Sequence, residues 1–307
     1  MNKTIYFHCG LPKTGTTAIQ QYLTIKAEDG EGNFLYPETG VVYYGADHTA
    51  NQTQIEASRG RPLNLSAHHD LFRPGGFQRN QITHDYKAHR CRFGGGNYDF
   101  SDADMLYEML LSEISSSNMK KVIISSEIPF GNPTIIASLR TFIESARSDG
   151  DEVKCVVYLR SFVEWTKSLH LELCHARQKL PESAALPWPP EMGTDFEKWL
   201  TTGLHSWSAS AQIPRLVNIF NQKDTIIRYY EGDVVEDFCK VVGIEFDGPK
   251  IVSNKTRGES ESIRDSLLTD NTRKIIRERH YESESKFADE FLTKEQKSKY
   301  LEGILDE

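Results

Sequence analysis

Apolar runs of strand length recur along this chain, and the residues that follow them are apolar at helical intervals. The first run, residues 5–9, leads into a turn with two glycines and then into a helical pattern, so we predict a strand, a loop and a helix over residues 3–28. Further strands are predicted near residues 121, 153 and 225, each followed by a helix. Because strands that alternate with helices pack as a parallel sheet, we expect a doubly wound, mainly parallel α/β fold with helices on both faces.

The turn after the first strand has the composition of a phosphate-binding loop. Residues 10–17 read GLPKTGTT, in which Gly10 and Gly15 keep the P-loop spacing G-x-x-x-x-G. Glycines permit positive φ angles and close approach, and a helix that starts at such a turn presents backbone N–H groups to an anion. The lysine precedes the second glycine, whereas Walker loops carry it after that glycine. We predict a phosphate site formed by Pro12, Lys13, Thr14, Gly15, Thr16 and Thr17.

The segment PKTGTT resembles the 5′-phosphosulfate loop of sulfotransferases that use 3′-phosphoadenosine-5′-phosphosulfate (PAPS). The resemblance implies a fold of the P-loop nucleoside-phosphate-transferase type. It also implies that the loop amides hold the 5′-phosphate of the donor and that Lys13 reaches its bridging oxygen. Cytosolic members often follow this motif with a tryptophan that stacks on adenine, where this chain has Ala18. In this respect the chain resembles the bacterial and carbohydrate-acting branches, and adenine must be held differently.

A second phosphate site is predicted at the end of the strand formed by residues 153–159. Arg160 ends this strand, and Ser168 follows eight residues later, two helical turns into the next predicted helix. Sulfotransferases carry an arginine and a serine at this spacing, so the resemblance implies that Arg160 and Ser168 hold the 3′-phosphate of the donor. Arginine suits this role because its planar guanidinium stays charged and pairs with two phosphate oxygens at once.

Two later segments resemble the same family. Residues 224–233 read DTIIRYYEGD and are similar to its late strand and turn, which are structural. Residues 253–258 form a basic segment where the family places a loop that covers the donor, which implies cofactor-binding roles for Lys255, Arg257 and Gly258. A solvated loop without a specific function explains this basic segment equally well.

The acceptor hydroxyl needs a general base, and two residues are candidates. Glu127 ends the strand predicted near residue 121, and residues just beyond a strand's carboxyl end face the ligand crevice of α/β sheets. The family places its base at a comparable strand end, often as a glutamate in carbohydrate-acting members. His48 is the rival candidate. We expect most of the other loop histidines to face solvent, and because no His or Cys cluster has metal-ligand spacing, no metal is predicted.

Charge and composition exclude several classes of protein. The net charge of −8 argues against general nucleic-acid binding. The chain has no apolar run of about 18 residues, so no membrane span is expected. Its first strand begins too early to leave room for a signal peptide. Five cysteines, three of them in strand or helix patterns, are typical of buried reduced thiols, and we expect a cytoplasmic protein.

These segments together predict a PAPS-dependent sulfotransferase with one domain over residues 1–307, which releases 3′-phosphoadenosine-5′-phosphate (PAP). Residues 30–100 lack clear periodicity, and since a stretch of that length is either disordered or functional, we expect an inserted acceptor-binding region there. With Ala18 and Glu127, this insert favours a carbohydrate or glycoconjugate acceptor. A homodimer is left open. The alternatives are a Mg-ATP-dependent small-molecule kinase with a P-loop and a non-catalytic nucleotide-binding relative.

Overall fold

A computed structural model describes residues 2–30, 32–40, 42–44, 65–68, 71, 103–127, 133–178, 195–247 and 266–304. Strands and helices alternate over most of this part of the chain, and none of its helices is long and apolar enough to cross a membrane. In chain order they are β1 (Thr4–Gly10), α1 (Thr16–Glu28), β2 (Val42–Tyr44), β3 (Leu65–Ala67), α2 (Ala103–Ser116), β4 (Lys121–Glu127), α3 (Pro133–Ser148), β5 (Glu152–Leu159), α4 (Phe162–Gln178), α5 (Phe196–Thr202), α6 (Ala209–Phe220), β6 (Thr225–Tyr229), α7 (Val234–Val242), α8 (Asp270–Phe291) and α9 (Lys294–Tyr300).

Four strands form one sheet in the order β4–β1–β5–β6, and all of its neighbouring strands are parallel. β1 is paired on both sides, so the carboxyl ends of β4 and β5 flank the turn that follows Gly10. The predicted parallel α/β sheet is therefore confirmed, and the arrangement is compatible with a doubly wound fold. β2 and β3 pair antiparallel outside this sheet.

Helices cover both faces of the sheet. Alternate residues of β1 are therefore buried on opposite sides. Phe7 packs between Phe142 of α3 and Phe220 of α6, with ring centroids 5.7 and 5.2 Å away. Tyr6 belongs to a second core cluster, which contains residues of α1 and α7. A strand that is buried on both faces has a nearly continuous apolar sequence, which explains the run at residues 5–9.

The described part of the 30–100 stretch is bound to the outer edge of β4. Leu35 forms a parallel bridge with Val122, in which its N–H donates to the Lys121 carbonyl at 2.8 Å. His68 is fully buried and is thus an exception to the expectation that most loop histidines face solvent. The Ser125 N–H donates to His68 Nδ1 at 3.1 Å, so Nε2 carries the proton and donates to the Pro37 carbonyl at 2.9 Å.

Candidate phosphate-binding site

The turn between β1 and α1, here called the glycine loop (residues 10–17), has an unusual backbone. Lys13 and Gly15 have positive φ angles of 66° and 87°. This conformation costs glycine little, whereas it costs a residue with a side chain about 1–2 kcal/mol. The buried Thr14 hydroxyl donates to the Leu11 carbonyl at 2.6 Å and closes the turn. The Thr14 side chain, which we predicted at the phosphate site, is thus engaged within the loop.

Both glycines of the loop are required by the close approach of neighbouring groups. A Cβ atom on Gly10 would lie 2.2 Å from Thr16 Oγ1, and one on Gly15 would lie 2.7 Å from Val234 Cγ1. Of these two glycines, Gly15 has a positive φ angle and Gly10 does not. Gly15 thus combines a positive φ with a close approach, whereas at Gly10 the close approach of Thr16 alone excludes a side chain.

The glycine loop leads directly into the first turn of α1. Gly15 is the N-cap residue and supplies no side-chain cap, and the N–H groups of Thr16 and Thr17 have no acceptor inside their own helix. Thr16 is buried, whereas Pro12 and Thr17 are partly exposed. Unpaired amides at the positive end of a helix dipole are suited to an anion, so the local geometry fits the predicted phosphate site.

Arg160 and Ser168 lie together beside this loop. Arg160 follows β5, and its Nη1 donates to Ser168 Oγ of α4 at 3.2 Å. The contact agrees with the proximity that we expected from their eight-residue spacing, because two helical turns bring Ser168 back over the end of the strand. The arrangement places a guanidinium and a hydroxyl side by side, which is a suitable pair for a phosphate group.

Lys13 also reaches α4, where it meets a residue that the sequence analysis missed. Its Nζ atom lies 3.3 Å from Glu172 Oε2, and the two side chains are 18% and 58% exposed. Glu172 comes one helical turn after Ser168, so both residues project from the same face of the helix. That four-residue spacing is visible in the sequence, but it does not show that Lys13 is the partner of Glu172.

Trp165 ties α4 to the glycine loop and was also missed. The Trp165 side chain is buried, and its Nε1–H donates to the Pro12 carbonyl at 2.8 Å. This hydrogen bond holds the peptide group directly before Lys13, where the backbone enters its positive-φ conformation. No pattern in the sequence singles out this tryptophan, since apolar residues recur throughout the helix.

The described cations beside the loop are paired with carboxylates of α4. Glu164 of α4 lies 3.8 Å from Arg160 Nη2 and forms an ion pair with Lys167, whose side chain is almost completely buried. Lys13 pairs with Glu172 of the same helix. An anionic ligand would therefore meet cations that carboxylates of the protein already contact.

The predicted base, Glu127, ends β4 directly beside the glycine loop. In the register of the sheet, Glu127 is the partner of Gly10. The backbone position therefore agrees with a role at the carboxyl edge of the sheet. The Glu127 side chain lies outside what the structure describes, and so do the predicted site residues His48, Lys255, Arg257 and Gly258.

Ala18, which replaces the family's tryptophan, is buried in the core between α1 and α7. Another aromatic residue stands against the loop instead. The Tyr230 ring would lie 2.8 Å from a Cβ atom on Gly15, and Tyr230 is only partly buried. The Tyr230 N–H donates to the Leu159 carbonyl at 2.6 Å, which fixes its backbone at the end of β5. Tyr230 therefore packs an aromatic ring against the glycine loop.

A buried histidine supports β1 two residues before the loop. His8 Nδ1 lies 2.8 Å from Ser125 Oγ of β4, and its ring packs against Phe238 with centroids 5.2 Å apart. Burial lowers the pKa of His8 to about 3, because an imidazolium would lose its hydration there. Burial likewise lowers the pKa of His68 to about 4. Both rings are neutral at physiological pH and serve packing and hydrogen bonding.

Three comparisons with known proteins found no match to this chain. The chain matched no protein-family model, no curated protein and no solved structure. Function must therefore be inferred from the residues of this chain and from their geometry.

Proposed function

We propose that this chain is a PAPS-dependent sulfotransferase of the P-loop fold type that transfers a sulfuryl group to a hydroxyl of a carbohydrate or glycoconjugate. The observation that carries the proposal is that α4 contacts both predicted phosphate-binding cations. Ser168 accepts from Arg160, and Glu172 pairs with Lys13. These two helix positions are separated by about 6 Å along the axis. One helix therefore lies against both cations that the proposal assigns to the donor.

The glycine loop and Arg160 would divide the donor between them. The loop amides would hold the 5′-phosphate, and Arg160 with Ser168 would hold the 3′-phosphate. Lys13 would place its ammonium where the leaving bridging oxygen gains negative charge, which lowers the barrier for cleavage of the sulfur–oxygen bond. The donor supplies the activated sulfuryl group, so this chemistry requires no metal ion.

The acceptor side would be completed by residues around Glu127. Glu127 would accept the proton of the attacking hydroxyl, with His48 as the alternative base. Lys255, Arg257 and Gly258 would cover the donor. Tyr230 would provide an aromatic surface beside the loop, where Ala18 cannot.

A P-loop kinase is the second candidate, and one observation favours it. Glu127 is paired with Gly10 at the end of a neighbouring strand, which is where such enzymes place a carboxylate that holds Mg²⁺. The position of Lys13 favours the sulfotransferase, because this lysine precedes the second glycine and extends toward α4. The Lys13 contact and the Arg160–Ser168 pair together give the first proposal the broader support.

Ligand binding separates these two functions. We expect PAP to raise the melting temperature of the protein by several degrees without Mg²⁺, because PAP carries both phosphates of the proposed site. ATP is expected to have little effect, with or without Mg²⁺. Differential scanning fluorimetry with PAP, 5′-AMP, ATP and Mg-ATP provides the measurement. Stabilisation by Mg-ATP alone would identify a kinase and overturn the proposal.

Transfer itself is tested with sulfur-labelled PAPS and a panel of sugar, lipid and phenolic acceptors. We expect label to move to a carbohydrate hydroxyl. A protein that binds PAP but transfers label to none of these acceptors would be a non-catalytic relative. Label on a phenol alone would contradict the proposed acceptor class while preserving the reaction type.

A further inference from the structure

The ammonium of Lys13 forms an ion pair with a carboxylate of the protein itself. Glu172 Oε2 lies 3.3 Å from Lys13 Nζ and is its described ion-pair partner. The same ammonium is the side-chain cation of the glycine loop, where a phosphate would attract it. The carboxylate of Glu172 and an anion in the loop therefore compete for one positive charge.

Arg160, the second cation of the site, also has a carboxylate of α4 beside it. Glu164, Ser168 and Glu172 follow each other at intervals of four residues on α4, so they share one face of the helix. Glu164 lies 3.8 Å from Arg160 Nη2, and Ser168 accepts from Arg160. One carboxylate therefore lies one helical turn before Ser168, and another lies one turn after it.

We propose that Glu172 is a positioning residue that competes with the bound phosphate for Lys13 and thereby lowers the affinity for the nucleotide product. The inference rests on the proposed function in that the glycine loop must bind a phosphate. When Lys13 turns to the ligand, Glu172 loses its partner and remains beside an anion of the same sign. When the ligand leaves, Glu172 takes the ammonium back. Both effects lower the affinity for nucleotide without changing the shape of the site.

Removing the charge of Glu172 is expected to tighten binding. Glu172→Gln keeps the size of the side chain and removes the competing carboxylate, so its Kd for PAP should fall by about 3- to 10-fold, the range expected for an exposed ion pair and a nearby like charge. Isothermal titration calorimetry at low ionic strength provides the measurement. Because salt screens exposed charges, the gain should shrink at high ionic strength. A residue that only supports the fold would weaken binding when it is altered.

Two variants show whether the effect runs through Lys13. In a Lys13→Met background, Glu172→Gln should improve the Kd by clearly less than it does in the unaltered protein, because the competition for Lys13 is gone and only the repulsion between Glu172 and the ligand remains. Glu278→Gln is the matched control. Glu278 has a similar exposure of 62% and pairs with Lys274 on α8, and it should leave the Kd unchanged.

Three results would overturn the inference: unchanged or weaker binding in Glu172→Gln, an equal gain in Glu278→Gln, or a full gain that persists without Lys13. If the unaltered protein does not bind PAP, the proposed function fails instead. The same variants are then titrated with inorganic pyrophosphate, which probes the glycine loop alone. A loop that binds neither ligand would overturn both proposals.

Discussion

Lys13 has a backbone conformation of raised free energy, and its side chain extends from the loop toward α4. Its φ angle of 66° is one that residues with a Cβ atom rarely adopt, and strain of this kind persists only where the surroundings impose it. Here the surroundings are the Trp165 hydrogen bond to Pro12 and the ion pair with Glu172. The hydrogen bond holds the peptide group before Lys13 and the ion pair holds the Lys13 side chain, so both the backbone and the side chain of this residue are restrained.

At the residue scale, Arg160→Ala tests the proposed 3′-phosphate site. Because a hydrogen bond to a charged group contributes about 1.5–3 kcal/mol, the affinity for PAP should fall by about 10- to 100-fold. The affinity for 5′-AMP should hardly change, since 5′-AMP lacks the 3′-phosphate. Calorimetric titration with both nucleotides measures the difference. Arg277→Ala, at an exposed position of α8, is the control.

Equal losses for PAP and 5′-AMP in Arg160→Ala would show that Arg160 acts on the fold of the site and does not contact the 3′-phosphate. The comparison is informative because the two ligands differ only in that phosphate group.

At the scale of elements, α4 organises the candidate site. The helix begins directly after the Arg160 turn, donates from Trp165 to the glycine loop and carries Ser168 and Glu172 on one face. Its opposite side is buried, where His170 stacks on Trp199 of α5 with centroids 5.6 Å apart. One rigid helix therefore sets the distance between the loop and the end of β5.

Trp165→Phe tests this role of α4. The variant keeps a buried aromatic ring but leaves the Pro12 carbonyl without its donor, which should cost about 1–3 kcal/mol in the free energy of unfolding. The affinity for PAP should fall as well, because the loop loses its anchor. Urea unfolding and calorimetric titration measure the two effects.

Trp199→Phe is the matched control for this prediction. Trp199 is fully buried, and its Nε1 atom has no hydrogen-bond partner among the described residues. The substitution removes similar volume without breaking a hydrogen bond, so it should alter stability and leave the affinity for PAP unchanged. A loss of affinity in Trp199→Phe equal to that in Trp165→Phe would refute a specific anchoring role for Trp165.

At the scale of the whole molecule, buried neutral histidines link stability to pH. Burial lowers the pKa values of His8 to about 3 and of His68 and His170 to about 4. Burial also lowers the pKa of His280. In the unfolded chain these groups titrate near 6.5. At a pH between the folded-state and unfolded-state pKa values, the unfolded state binds more protons than the folded state. The contribution of these histidines to the free energy of unfolding is therefore fully present above about pH 6.5 and is lost as the pH falls. Glu284 opposes this trend, because burial raises its pKa.

The free energy of unfolding should therefore decrease between pH 7 and pH 5. Each buried histidine contributes about 1.4 kcal/mol per pH unit once its unfolded form is protonated. His68→Gln can keep both hydrogen bonds, from the Ser125 N–H and to the Pro37 carbonyl, without titrating. Urea unfolding across this range should show a slope that is shallower by about one proton in the variant. An identical slope would contradict a neutral, buried His68 in the folded protein.

The sequence allowed the prediction of features that depend on neighbours along the chain. Alternating apolar runs and helical patterns predicted the parallel sheet, and the spacing of Arg160 and Ser168 predicted their contact. The burial of His68 was not predicted, because a polar residue in an aperiodic stretch gives no sign of burial, which here depends on hydrogen bonds to the distant strand β4. Glu172 was overlooked for a similar reason, since its partner lies 159 positions away in the chain.

By itself the sequence determined the glycine loop, the strands and the cation–serine pair, because turn chemistry, periodicity and helical spacing are local properties. Only the tertiary structure decided that α4 joins the two elements predicted to bind phosphate, that Glu172 meets Lys13, and that the close approach of Thr16 leaves no room for a side chain at Gly10. These outcomes depend on which surfaces meet when helices pack on a sheet, and the free energy of that packing comes from contacts between residues far apart in the chain.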